Sequence, residues 1–373
     1  MKVGIDTFGL EHGQSGLGLY LLYLMENLEY NENIEYELFG HEDDRYTYKT
    51  KFDCNFKSIN IKDSYFAQKM FHKIFLPKFV KKQKYDCVMY FAATRMLPTK
   101  FNVKSIAIVN EIINLDEFSQ SKSSTKHFNP KKILKSLKKI YKIVVPTEYL
   151  KKSLINLGIE QNKIIVIPHG IDHSLFFMQN LQDTTIADIK PFSIKKPYII
   201  YPTRITNENK NHLALIDAFN IFKEKTSLPH RLVLSGSHDE YAKKVVQKVL
   251  SSPYSSDIFL TGFFSHKQLG ALYSNAEICV FPSDIEGAGL PVIENMACGI
   301  PVICSDKGAL PEITNNCSIL FDSKNVTEIA DDIEKIINDK DLYQNLSQKG
   351  LTRAKDFTWE NTCKKIVELL LSI

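Results

Sequence analysis

The sequence has no long apolar run, no Cys-x-x-Cys pair and a single tryptophan, Trp359, among 373 residues. No stretch approaches the roughly 18 consecutive apolar residues of a membrane span, so an integral membrane protein is not expected. The apolar stretch at the amino terminus holds Asp6, which argues against a secretory leader. Seven cysteines, an odd number scattered from Cys54 to Cys363, suit reduced thiols in the cytoplasm better than a disulfide framework. Fixed-period repeats and low-complexity segments are also missing, and SKSSTK at 121–126 reads as a polar loop. What is present is ordinary: 44% hydrophobic and 24% charged residues place the chain among globular proteins. Its length exceeds one usual core, which predicts two domains.

The net charge of +4 conceals an asymmetry. Residues 1–170 hold 26 Lys and Arg against 18 Asp and Glu, whereas the remainder holds 21 against 25. A basic first half either meets something anionic or carries a solvated cationic face. Within it, residues 65–85 interleave aromatics, Leu and Ile with Lys69, Lys73, Lys78, Lys81, Lys82 and Lys84. That pattern fits a helix lying on a membrane surface, or a core helix with a solvated lysine face. No nucleic-acid-binding signature accompanies it, so nucleic acid is not an expected partner.

Strand-like runs alternate with helical patterns along the chain: 2–8, 87–92, 105–109, 142–146 and 164–168, then 198–202, 231–236, 278–282 and 301–305. Several are continuous apolar runs, as in parallel strands covered on both faces. Helical patterns at 18–29, 131–141, 211–225 and 239–250 fall between them. This predicts an α/β protein of two Rossmann-like, doubly wound parallel sheets. The break is expected in the polar, weakly periodic stretch after Pro168–His169–Gly170. The expected division is a first domain over 1–170, a linker over 171–196 and a second domain over 197–356. A C-terminal helix within 357–373 is expected to pack back on the first domain. Open α/β sheets bind ligands at the carboxyl ends of their strands, which predicts a site in a central cleft between the domains.

Three passages carry chemistry. In PSDIEGAGLPVIENMACGIPVICSDKGALPE, residues 282–312, a strand is followed by Glu286, Gly287, Ala288, Gly289 and Leu290. Pro291 suits the opening of a helix, with Glu294 about one turn inside. Free N–H groups at a helix start with a glycine approach make a phosphate or sugar-oxygen site, and carboxylates accept from sugar hydroxyls. In YPTRITNENKNHLALIDAF, residues 201–219, Arg204 and Lys210 are two cations that can neutralise a diphosphate. In GQSGLGLY, residues 13–20, Gly16 and Gly18 allow close backbone approach before a helix. Each passage has a plainer reading as a turn, a helix-dipole acid or a solvated basic loop.

Taken together, the passages resemble the retaining glycosyltransferases of family 4, which have the GT-B fold, and bacterial polysaccharide mannosyltransferases among them. The E-x7-E pattern is met by Glu286 and Glu294, with Gly287–Ala288–Gly289–Leu290–Pro291 between. The resemblance implies that Glu286 holds donor-sugar hydroxyls, that Glu294 holds the nucleotide ribose, and that Arg204 and Lys210 clamp the pyrophosphate without a metal or other cofactor. It implies that Gly16 and Gly18 lie near donor phosphates and acceptor, and that Gly262 and Phe263 lie near the base. The family usually has His-Asp where this chain reads Asn110–Glu111, so Asn110 is expected to position the donor sugar rather than carry a proton. The resemblance implies that the first domain binds the acceptor and the second the nucleotide-sugar, for hexosyl transfer onto a glycan or lipid-linked glycan, in the cytoplasm or at the inner face of the membrane. GDP-mannose is the first expected donor and a UDP-sugar the second. A catalytically weak nucleotide-sugar-binding protein of the same fold is the remaining alternative.

Overall fold

A computed structural model describes residues 1–113, 130–179 and 185–373. The polar segment 121–126 lies outside the described residues, as does part of the expected linker. The chain divides into two compact units: residues 1–170 together with 359–373, and residues 171–358.

The first unit is built on seven parallel strands: β1 (Lys2–Asp6), β2 (Glu35–Gly40), β3 (Asn55–Ser58), β4 (Cys87–Tyr90), β5 (Lys104–Ile108), β6 (Lys142–Val145) and β7 (Ile164–Val166). Their order is β3-β2-β1-β4-β5-β6-β7. Successive side chains of a strand face opposite sides, and both sides here are buried. Cys87 and Met89 enter one core with Ile106 and Ile108, while Val88 and Tyr90 enter the other with Ala107 and Val109. This double burial produces the continuous apolar runs. Two strands had no such signal. β2 carries Glu37 inside the fold, where Lys2 Nζ (3.1 Å) and Tyr85 Oη (2.6 Å) donate to its carboxylate. β3 is a short edge strand, mostly exposed.

The helix Gly16–Asn27 covers one sheet face, and Ser15 caps it by accepting from Gly18 N at 3.1 Å. The helix Trp359–Leu371 packs on it, with Trp359 stacked on Tyr23 (centroids 5.6 Å apart) and Ile366 and Leu370 in the same core. Residues 65–83 form two helices, Tyr65–Met70 and Leu76–Gln83, joined by a wide π turn over Phe71–Phe75. Pro77 has no N–H to offer the carbonyl of Lys73, which accounts for the local loss of α-helical bonding. Its consequence is that Lys73, Ile74 and Phe75, three consecutive residues, are all exposed.

The second unit holds six parallel strands: β10 (Tyr198–Pro202), β11 (Arg231–Ser235), β12 (Ile258–Gly262), β13 (Ile278–Phe281), β14 (Val302–Ser305) and β15 (Ile319–Phe321). Their order is β12-β11-β10-β13-β14-β15. The sequence reading of 171–196 as a linker needs correction. Residues Ile186–Ile189 (β8) and Phe192–Lys195 (β9) pair as an antiparallel hairpin, with Ala187, Ile189 and Ile194 buried. Phe176 is fully buried and stacks on Tyr273 at 5.6 Å. Alternation over four residues per strand was too short to stand out, and the segment belongs to the second unit. No helix among the described residues is long and apolar enough to cross a membrane.

Candidate functional site

In the second unit the strand order reverses direction between β10 and β13, so the loops leaving these two strands diverge at their carboxyl ends. The two motifs of that half are these two loops. They are stitched together: Asp284 N donates to Asn209 O (2.9 Å), and Asn211 Nδ2 donates to Pro282 O (2.8 Å). Lys324 Nζ then bridges Asp284 (2.9 Å) and Asn211 Oδ1 (3.3 Å).

Across this seam Lys210 Nζ contacts Glu286 Oε1 at 2.5 Å, although the residues are 76 apart in sequence. Both side chains are mostly shielded, at 19% and 15% exposure. The backbone carbonyl of Lys210 accepts from the buried hydroxyl of Tyr201 (2.7 Å), which fixes the turn that carries the lysine. Asn211 follows in left-handed conformation (φ 52°) and starts the helix His212–Thr226. Arg204 is exposed at the end of β10 and pairs with no carboxylate among the described residues. The expected cationic clamp thus has one member paired to the first glutamate and one facing solvent.

Gly289 (φ 55°) precedes the helix Leu290–Ala297, and a Cβ there would sit 2.7 Å from Ile313 Cδ1. Only glycine satisfies both the dihedral and the contact. A second glycine, Gly308, lets backbone pass close to Glu286; a Cβ would come within 2.9 Å of its nitrogen. Glu294 lies inside the helix and is buried. Burial pushes its carboxyl up to about 8, against an opposing hydrogen bond from Tyr273. The sequence reading treated it as a charged partner; in the fold desolvation favours the protonated acid, which can donate as well as accept. At the end of β12, Gly262 takes φ 73° and its carbonyl accepts from Gly236 N (2.9 Å), while Phe263 is 73% exposed.

The chain holds an Asp-x-Asp triplet at Asp339–Lys340–Asp341. Asp339 caps the helix Lys340–Ala354 through Leu342 N (2.9 Å), a structural use.

In the first unit, the glycine loop leads into the helix Gly16–Asn27. Gly18 is packed, since a Cβ would meet Leu10 O at 2.4 Å, and its N–H is engaged by Ser15. Gly16 has open space around it. Asn110 follows β5, and its Oδ1 accepts from His169 Nε2 at 3.0 Å. His169 is buried against Tyr20 (4.4 Å between centroids), and desolvation lowers its pKa to about 3. The imidazole is neutral, and its single N–H is directed at Asn110. The N–H groups of the Asn110 amide donate to no group among the described residues. His169 was passed over in the sequence because it lies 59 residues away in a strand-ending Pro-His-Gly.

A cavity of about 840 Å³ opens at the carboxyl ends of the strands of this unit, lined by the segments that follow β1, β2, β3, β4 and β5. His12, Asp44 and Asp63 line it, as do Arg95 and Glu111. None was singled out from the sequence as a site residue, because they are dispersed over about 100 positions and match no motif.

Two family profiles match the chain in tandem: Glycosyltransferase Family 4 over residues 14–175 and Glycosyl transferases group 1 over residues 182–353. The O-antigen chain mannosyltransferase B of Escherichia coli is 32% identical over 152 residues, 41% of this chain. That match spans only 40% of the length of the relative. Among solved structures, sucrose-phosphate synthase of Thermosynechococcus elongatus aligns with a TM-score of 0.73 at 18% identity, covering 100% of this chain and 98% of that one. HepE of Anabaena, solved in complex with UDP-glucose, aligns with a TM-score of 0.73 at 16% identity over 100% of both chains. At such identities the structural likeness is one of fold. Two parallel-sheet α/β units with these neighbours define the GT-B architecture. The chain carries a match to Glycosyltransferase Family 4 followed by a match to Glycosyl transferases group 1, on two units of GT-B fold.

Proposed function

We propose that this protein is a retaining, metal-independent hexosyltransferase that moves mannose from GDP-mannose onto a glycan or lipid-linked glycan. The Lys210–Glu286 pair at the diverging ends of β10 and β13 carries this reading. An ammonium has three N–H donors, so Lys210 can hold Glu286 and a donor phosphate at once. Glu286 is thereby aimed to accept from sugar hydroxyls. Arg204 supplies the second cation for the pyrophosphate, and the N–H groups at the start of Leu290–Ala297 supply neutral donors. Glu294 takes the ribose, and Gly262 and Phe263 border the base.

In the transfer step the bond between the anomeric carbon and the diphosphate oxygen breaks, and the bond to the acceptor oxygen forms on the same face. The acceptor proton passes to the departing phosphate oxygen, so no side chain need carry it. Asn110 then orients the donor sugar, and His169 orients Asn110. Similarity to an O-antigen mannosyltransferase supports mannose. A UDP-sugar, serving glucosyl or N-acetylhexosaminyl transfer, is the second reading, since a neighbour of the same fold was solved with UDP-glucose. A silent nucleotide-sugar-binding protein is the third.

Titration calorimetry with GDP-mannose and UDP-glucose, followed by product analysis with the tighter donor, tests the reading. GDP-mannose is expected to bind and to yield an α-mannoside at full rate in excess EDTA. Lys210→Ala should weaken donor binding or turnover by about tenfold or more, the cost of losing a hydrogen bond to a charged group. Binding without transfer would favour the silent protein. Loss of activity in EDTA with recovery on Mg²⁺ would refute the metal-independent clamp.

The surface around the π turn supports peripheral membrane contact as a further part of the reading. Phe66, Ile74 and Phe75 are exposed to 70%, 45% and 58%. They stand among six lysines, and no acidic residue occurs between Ser64 and Tyr85. Aromatics beside lysines match an anionic lipid surface. Seven unpaired cysteines favour the cytoplasmic side of such a surface.

A further inference from the structure

The first-unit cavity has a composition that discriminates between acceptor chemistries. Four carboxylates line it: Glu11, Asp44, Asp63 and Glu111. Its one guanidinium among the described residues is already bridged, with Arg95 donating to Glu11 at 2.8 Å and to Glu111 at 3.3 Å. His12 is bridged as well. His12 Nδ1 lies 2.7 Å from Asp44 Oδ1, and its Nε2 lies 3.3 Å from Asp63 Oδ2. Burial opposes a charge on His12, yet the hydrogen bonds to the two aspartates outweigh it and hold the ring above its usual pKa.

These groups are held in place from behind. Asp44 is buried and also accepts from Thr7 Oγ1 at 2.5 Å. Glu11 and His12 both sit in the left-handed region, at φ 53° and 51°, although neither is glycine. Consecutive non-glycine residues there are sterically costly, and this pair is retained at the mouth of a cavity. Phe8 and Met96 give the same cavity apolar wall.

We propose that this cavity binds the uncharged terminal sugar of the acceptor and rejects phosphorylated acceptors. The proposal rests on the transferase reading above and names the acceptor class for it. A sugar hydroxyl both donates and accepts, so it can donate to Asp63 or Glu11 while accepting from Arg95 or His12. A phosphate ester only accepts at neutral pH. It would bring about two negative charges among four carboxylates, where Arg95 and His12 are each already shared between two of them and His41 contacts Asp63. Like charges in partly dehydrated surroundings disfavour such a complex strongly. The volume lies within the roughly 300–1,000 Å³ of small-molecule sites, ample for one or two sugar rings.

Saturation-transfer NMR on the full chain, with methyl α-mannoside and mannose 6-phosphate as probes, tests this directly. The neutral mannoside is expected to bind and the phosphate to bind at least tenfold more weakly. Asp63 is largely exposed, so Asp63→Asn should fold; it should weaken the mannoside severalfold and narrow the gap between the probes. Glu11→Gln should do the same from the other side of the cavity. Equal or tighter binding of mannose 6-phosphate by the wild type would overturn the proposal. So would mannoside binding that neither variant alters. Calorimetry of the wild type with GDP-mannose and UDP-glucose reports separately on the transferase reading: failure there with the probe preference intact sinks the reading and not the cavity's selectivity.

Discussion

Residue by residue, the sharpest departures from the sequence concern protonation. Glu294 was legible as a site residue from its spacing to Glu286, but its charge state depends on burial, which no motif reports. Its folded pKa of about 8 exceeds the ordinary carboxyl value of about 4.3. The native state therefore binds a proton that the unfolded chain has released over this interval, and stability falls as pH rises through it. Melting temperatures from pH 7 to 8.5 should decline for the wild type, since below pH 7 the buried, neutral His169 and His212 act in the opposite sense. Glu294→Gln keeps the shape and removes the titration, so its decline should be shallower and its stability at pH 8.5 higher. A parallel decline in both proteins would exclude Glu294 as the source. Asn110 makes the complementary case. Its partner His169 stays neutral in the fold, whereas the unfolded imidazole takes up a proton below about pH 6.5, so this group favours the fold as pH rises towards neutrality. Asn110→Ala should lower turnover roughly tenfold while leaving donor affinity unchanged, and Asn110→His should retain activity. A gain of about 10²-fold on installing His would instead indicate general-base catalysis.

Elements were legible where one physical signal dominated. The strands β4, β5, β10 and β13 are buried on both faces, and that burial writes itself as continuous apolar sequence. β2 was not legible, because its buried Glu37 depends on Lys2 and Tyr85, which tertiary structure alone brings close. The helix 65–83 shows both outcomes. Its amphipathic character was readable, whereas the π turn was not, and the turn is what exposes Ile74 and Phe75 together. Vesicle co-sedimentation can weigh that exposure. The protein should bind phosphatidylglycerol vesicles more tightly than phosphatidylcholine ones, and less so at high salt. Replacing Phe66 and Phe75 by Asp should reduce binding about tenfold or more with an unchanged circular dichroism spectrum. Binding indifferent to lipid charge, or to both substitutions, would assign the patch to a protein partner or to no partner.

For the whole molecule, the alternation of strands and helices gave the two-sheet architecture, and the twin motifs marked where the second sheet's loops diverge. The cavity of the first unit was illegible because its charges come from five loops. The two units also differ in how the chain supplies them. Residues 359–373 complete the first unit, covering Leu17, Leu21 and Leu24 with Ile366, Leu369 and Leu370. Ending the chain after Thr358 should therefore expose that core: limited proteolysis should cut residues 1–170 rapidly while 171–358 stays resistant. Uniform resistance would show the helix to be dispensable. A ribosome releases these pieces in a fixed order. The strands and helices of 171–358 can close their own core as they emerge, while the first 170 residues, made earlier, wait for the last helix to be translated. The half synthesised first is then the half that matures last, and during that delay its exposed leucines are the natural target of a chaperone.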